Sequence, residues 1–133
     1  IEGRVIDKFI KKDLVNKDIL IYGNGNQIRC FLYIDDCIKA FYEIFKNKKL
    51  LNNTYNIGNN KKTSMIDLAY LVKRISKSKS KIKFIKDTAI HKAGFEDINN
   101  RIPDIKLLKK SIIWSPKINL NKGIEKTIKS YLK

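Results

Sequence analysis

Cysteine is scarce in this sequence, histidine scarcer still, and arginine uncommon beside lysine. Each shortage removes a class of function. The two cysteines, Cys30 and Cys37, have no second pair at zinc-ligand spacing, so two reduced, buried thiols are expected and no metal site. Reduced thiols suit a cytoplasmic protein. The single histidine, His91, has no serine or cysteine nucleophile in a recognisable setting and reads as an ordinary loop residue. Long apolar runs are missing: none approaches the roughly 18–20 residues of a membrane span. No signal-peptide pattern opens the sequence either, since Ile1-Glu2-Gly3-Arg4 runs directly into an amphipathic segment.

The glycine fingerprint of a dinucleotide site is also lacking. Gly23-Asn24-Gly25 has no third glycine, and a β-rich run follows it where a nucleotide-binding helix should start. Adjacent Asp35 and Asp36 suggest a carboxylate pair, but neighbours in sequence do not face the same way, and capping of a helix explains them. No general base or nucleophile stands out, so no catalytic residue is assigned.

Positive charge is what the sequence has in excess. The formal net charge is +16 over 133 residues, almost all of it lysine scattered through every segment. A surplus of that size raises nucleic acid as a partner. Scattering argues against it, and so does the joint over-use of lysine, asparagine and isoleucine that AT-rich coding produces. A stand-alone basic module for nucleic acid or a protein partner is kept as the alternative reading. With 43% hydrophobic residues, the length suits one folded domain without disulfides.

Periodicity supplies the elements. Val5, Ile6, Phe9, Ile10 and Leu14 have helical spacing, as do Ile38, Phe41, Tyr42 and Phe45 after an Asp35 or Asp36 cap. Those four are expected on a buried face. Met65, Leu68, Ala69, Leu71, Val72 and Ile75 form a broad stripe after Thr63 or Ser64. Ile124, Ile128 and Leu132 form another after Asn119 or Asn121. Ile19–Tyr22 and Ile28–Ile34 read as strands joined in a β-hairpin by the Gly-Asn-Gly-Asn turn. Thr54–Ile57 reads as a buried strand and Ile82–Ile85 as a half-buried one, while Asp87–Arg101 reads as a long loop. The expected fold is therefore a small mixed α/β domain of helices, a hairpin and short strands, without clean βαβ alternation.

Against the lysine background only Arg4, Arg29, Arg74 and Arg101 are arginines. Arginine presents a rigid fork of donors that grips phosphate at two points, where lysine is a point charge. Arg4, Arg29 and Arg101 come from three distant segments and could form a diphosphate clamp. Ordinary surface or ion-paired roles are the competing reading.

Several segments together resemble a known family. Gly3-Arg4-Val5-Ile6 with Phe9-Ile10, Ile21-Tyr22-Gly23-Asn24-Gly25-Asn26-Gln27-Ile28-Arg29-Cys30-Phe31-Leu32-Tyr33-Ile34-Asp35-Asp36, and Tyr55-Asn56-Ile57-Gly58 carry the first part of the likeness. Gly94-Phe95-Glu96-Asp97, Arg101-Ile102-Pro103-Asp104-Ile105 and Trp114-Ser115-Pro116 carry the rest. Taken in order, they are similar to the carboxyl-terminal part of the NAD-dependent epimerase/dehydratase family. These are extended short-chain dehydrogenase/reductases acting on nucleotide sugars, including UDP-glucuronate decarboxylases, UDP-sugar 4-epimerases and dTDP-glucose dehydratases. Ile113 replaces the family's glycine before tryptophan.

The resemblance implies that residues 1–133 are a substrate-binding portion, with the amino-terminal Rossmann domain and its catalytic residues absent. It implies contacts of Arg29 and Arg101 with the diphosphate of a UDP- or dTDP-sugar, of Arg4 with the nucleotide, and of Tyr22 beside the base. NAD would be bound mainly by the absent domain. The full-length enzyme is expected to be a homo-oligomer, a dimer, and this portion is not expected to be active alone. Apolar surface on the Ile38–Phe45 helix and the Tyr55–Ile57 segment would pack against the Rossmann sheet, and left bare it favours self-association.

Overall fold

A computed structural model describes residues 4–86 and 98–132. In chain order its elements are α1 (Val5–Leu14), β1 (Ile19–Tyr22), β2 (Ile28–Cys30), α2 (Ile34–Phe45), β3 (Lys62–Ser64), α3 (Met65–Ser76), β4 (Ile82–Ile85), α4 (Lys106–Ser111) and α5 (Leu120–Tyr131). The Gly94–Asp97 segment, His91 and most of the expected long loop lie outside the described residues.

One core gathers the stripes that the periodicity picks out. Phe9 and Ile10 of α1, Ile19 and Ile21 of β1, Leu68, Ala69, Leu71 and Val72 of α3, and Ile124 and Ile128 of α5 pack into it. Ser64 caps α3 by accepting from Asp67 N (3.0 Å), and Asn119 caps α5 by accepting from Lys122 N (2.9 Å). Each cap satisfies an amide that the first helical turn leaves without a partner. Buried Asp13, near the end of α1, accepts hydrogen bonds from the Ser76 and Ser78 hydroxyls and so ties α1 to the α3–β4 connection. At the surface, Tyr131 donates to Asp7 and clips α5 to α1. That bond first, and Lys11 second, hold the Asp7 carboxyl below its ordinary value.

The mixed α/β reading holds, but the hairpin does not form. β1 pairs in parallel with β4, from Ile19 opposite Ile82 to Tyr22 opposite Ile85. β2 instead pairs antiparallel with β3, Ile28 opposite Ser64. The two runs thus end in different two-stranded sheets. Gly23 and Gly25 do take positive φ values, 69° and 77°, yet the turn folds onto the start of α3. Ile66 N donates to Gly25 O and Met65 N to Gln27 O, both at 3.1 Å. A side chain at position 25 would set a Cβ 3.1 Å from Ile66 Cβ, so this close approach requires glycine.

Three further expectations are corrected. Thr54–Ile57 is not a strand: among the described residues it has no pairing partner and is held by side chains instead. Neither Asp35 nor Asp36 caps α2, whose N-cap is Tyr33 without a side-chain bond. The apolar stripe of α2 is exposed, not buried, with Ile38 at 58%, Phe41 at 61%, Tyr42 at 63% and Phe45 at 76%. The helix buries only Asp36 and Ala40.

Candidate functional site

β2 is the element around which the predicted residues are arranged. On one side it pairs with β3, placing Arg29 opposite Thr63. On its other side Ile28 forms a parallel bridge with Asn100. Ile28 N donates to Asn99 O (2.7 Å), and Arg101 N donates to Ile28 O (3.1 Å). One residue beyond that bridge, Arg29 and Arg101 fall side by side in register, on the same face of the extended pairing. Residues 72 positions apart in sequence are thus neighbours by backbone hydrogen bonds alone.

Arg29 also holds its neighbour in place. Its Nη1 donates to Ile98 O (2.9 Å), Asn99 O (3.4 Å) and Ile28 O (2.9 Å), fastening the segment that carries Arg101. The Arg101 side chain is exposed. Next to Arg29, partial burial raises the Cys30 thiol above its ordinary value, an effect that nearby Lys62 opposes. A thiol held protonated is a poor nucleophile, consistent with a packing role.

A second set of side chains fixes the stretch after Arg101, and the sequence reading missed it. Asn56 Nδ2 donates to Asp104 O (3.1 Å), and Asn59 Nδ2 donates to Phe31 O (3.2 Å). Gly58 lies so close to Pro103 that a Cβ there would be 2.8 Å from Pro103 Cγ. The Tyr55-Asn56-Ile57-Gly58 segment therefore acts as a bracket for Arg101-Ile102-Pro103-Asp104. The available signal was three asparagine or glycine residues in a stretch otherwise resembling a strand.

Fully buried Asp36 makes a third anchor. Its Oδ2 accepts from Lys117 N (2.9 Å) and Ile118 N (2.8 Å), and its carbonyl accepts from Trp114 Nε1 (3.0 Å). The Trp114-Ser115-Pro116 turn is thereby bound to the first turn of α2. Asp35, one residue earlier, faces out and pairs with Lys126 (2.7 Å).

Tyr22 ends β1 half-exposed, and its carbonyl accepts from Gln27 Nε2 (3.0 Å). Arg4 stands exposed at the head of α1. The backbone of Ile28 and Asn100 brings together Arg29 and Arg101, two of the three predicted arginines. A shallow cleft of about 770 Å³ between α2 and α4 is lined by Lys39, Lys109, Lys110, Trp114 and Lys117 but by none of the predicted residues. No group of His, Cys, Asp and Glu among the described residues could hold a metal ion, and no helix there is long and apolar enough to cross a membrane.

The family model for GDP-mannose 4,6 dehydratase matches residues 2–127. The UDP-N-acetyl-alpha-D-glucosaminuronate decarboxylase of Bacillus cytotoxicus is 33% identical over 93% of this chain and 38% of its own length. The solved structure of Pal from Bacillus thuringiensis is 30% identical, with a TM-score of 0.82, over 99% of this chain and 41% of that one. A UDP-glucuronic acid 4-epimerase from Bacillus cereus, solved with UDP-glucuronic acid and NAD, is 27% identical with a TM-score of 0.82. It is matched over 97% of this chain and 40% of its own. This chain thus spans about two-fifths of the length of each. The chain belongs to the GDP-mannose 4,6 dehydratase family, among the nucleotide-sugar dehydratases, decarboxylases and epimerases.

Proposed function

We propose that this chain is the substrate-binding portion of a nucleotide-sugar enzyme and that it holds the diphosphate of a UDP- or dTDP-sugar. The observation that carries this reading is the Ile28–Asn100 bridge, which sets Arg29 and Arg101 in adjacent register. A dianion between two guanidinium groups takes charge-assisted contacts from both. The outer edge of β1, with no strand beside it among the described residues, ends at Tyr22 and supplies backbone groups for the base. Arg4 is assigned to the nucleotide from the motif likeness alone.

NAD occurs in the Bacillus cereus complex, but the residues described here do not suit a dinucleotide. The carbonyls of Gly25 and Gln27 take the first amides of α3, so the glycine turn opens no helix N-terminus to a pyrophosphate. NAD and the reacting groups are therefore assigned to a Rossmann portion corresponding to the part of the relatives outside this match. No catalytic residue is assigned here, and the chain alone is expected to be inactive. The exposed α2 stripe supports such a portion as its cover, in an enzyme that assembles as a homodimer. Cys30 and Cys37 are free thiols, only partly buried and not fully as expected, and their reduced state accords with a cytoplasmic setting.

Titration calorimetry with UDP tests the clamp. Arg29→Ala and Arg101→Ala are each expected to weaken UDP about 10- to 100-fold, the range for loss of a charge-assisted contact. Unchanged affinity in both variants would remove the clamp. The free-standing basic module is not favoured by the family match; it would instead require oligonucleotide binding with a steep salt dependence.

A further inference from the structure

β2 uses its two backbone edges for different neighbours. Ile28 exchanges hydrogen bonds with Asn99 and Arg101 on one side, while on the other Gln27 O accepts from Met65 N (3.1 Å), just past β3. Bonded pairs in an antiparallel ladder fall on alternate residues. After Gln27–Met65 and Arg29–Thr63, the next rung would join Phe31 to Lys61. A side chain fills that rung instead. Asn59 Nδ2 donates to Phe31 O (3.2 Å), and Lys61 N donates to Asn59 Oδ1 (3.0 Å). Asn59 is 8% exposed, and a flipped amide would set donor against donor and acceptor against acceptor, so its orientation is fixed.

The residue before it meets the other arm of the site. Gly58 is buried against Pro103, whose ring leaves no room for a Cβ. Consecutive residues thus touch Phe31, two positions beyond Arg29, and Pro103, two positions beyond Arg101. The same two segments are joined one position before the arginines, where Ile28 bridges Asn100. Each arginine therefore lies between two ties. A single bridge leaves two extended segments free to splay beyond it, and the second tie removes that freedom. Phe31 anchors the second tie, because its side chain packs against the core.

We infer, on the reading of these two arginines as the clamp, that Asn59 is a positioning residue: through Gly58 it sets the separation of Arg29 and Arg101 for a diphosphate. It acts on the ligand only through the two arms. Its bonds hold them in place before the ligand arrives, so less ordering is left to be done on binding.

The test is UDP affinity, measured by calorimetry on the full-length protein and its Asn59→Ala and Gly58→Ala variants, each also carried into an Arg101→Ala background. Asn59→Ala removes the donor to Phe31 O, and Gly58→Ala drives a methyl group into Pro103. Asn59→Ala is expected to weaken UDP about three- to tenfold, the range for one lost hydrogen bond, and Gly58→Ala by a similar factor. With Arg101 gone there is no separation left to set, so the same changes should then cost less than about twofold. A residue that only supports the fold gives equal losses in both backgrounds, or none. Amide exchange on the wild type reads the same coupling without any variant. Saturating UDP should slow exchange of the Lys61 amide about three- to tenfold, because a ligand that needs the tie also holds it closed. Equal losses in the two backgrounds, no loss in a folded variant, or unchanged Lys61 exchange overturns the inference, and the clamp stands if Arg29→Ala and Arg101→Ala still weaken UDP. Unchanged affinity in both arginine variants removes the clamp and the inference with it.

Discussion

Helices α2 and α3 are both 12 residues long and both amphipathic, yet they meet opposite fates. α3 buries Leu68, Ala69, Leu71 and Val72 in the core, while α2 buries Asp36 and Ala40 and leaves Ile34, Ile38, Phe41, Tyr42 and Phe45 exposed. The stripe on α2 is no weaker in sequence. Periodicity therefore says that a helix has an apolar side, and says nothing about which body covers it. α3 is held by apolar packing within this chain. α2 is held at its first turn by a buried carboxylate, and the rest of its apolar side is turned away from the core.

Leu68→Ala should separate the two helices most sharply. Truncation of a fully buried leucine is expected to cost about 2–5 kcal/mol, seen as a lower midpoint in urea unfolding. A loss below 1 kcal/mol would mean that α3 is not the core helix. Next comes Asp36→Ala, which strips the acceptor from two backbone amides and is expected to cost about 2–4 kcal/mol. Near-UV circular dichroism should report it as well, because Trp114 is bonded to the Asp36 carbonyl.

The smallest effect on stability is expected for Phe41→Ser with Phe45→Ser, within about 0.5 kcal/mol per site. Here the larger readout is assembly. The wild-type protein alone should self-associate in sedimentation velocity, and the double variant should run as a monomer. Equal sedimentation of the two proteins would show that the α2 stripe is not the sticky face.

Local signals were legible and long-range ones were not. Helical stripes and the Ser64 and Asn119 caps depend on residues within a turn or two of each other, so the sequence states them directly. The hairpin failed because glycine specifies a turn, not the strand that follows it back. Pairing went to Ile82–Ile85 and Lys62–Ser64, and Lys-Thr-Ser carries no apolar alternation to announce a strand. Tyr55–Ile57 had strand-like residues but, among the described residues, no strand beside it. At the site, the rarity of arginine beside lysine marks Arg29 and Arg101 out in the sequence. The adjacency of Arg29 and Arg101 depends on backbone bonds from Ile28, which no spacing rule encodes. The role of Asp36 escaped for the same reason: its importance lies in the distant amides of Lys117 and Ile118 that it meets.

The contact between Gly58 and Pro103 limits how this protein can change. Any side chain at position 58 meets the proline ring, two residues from Arg101, so a methyl group there shifts the arginine or is rejected. Substitutions at 58 and 103 therefore cannot accumulate independently, although 45 positions separate them in the sequence. Drift in the segment after α2 is restrained by a residue that binds nothing itself, and the reach of Arg101 is inherited jointly with the absence of a side chain elsewhere.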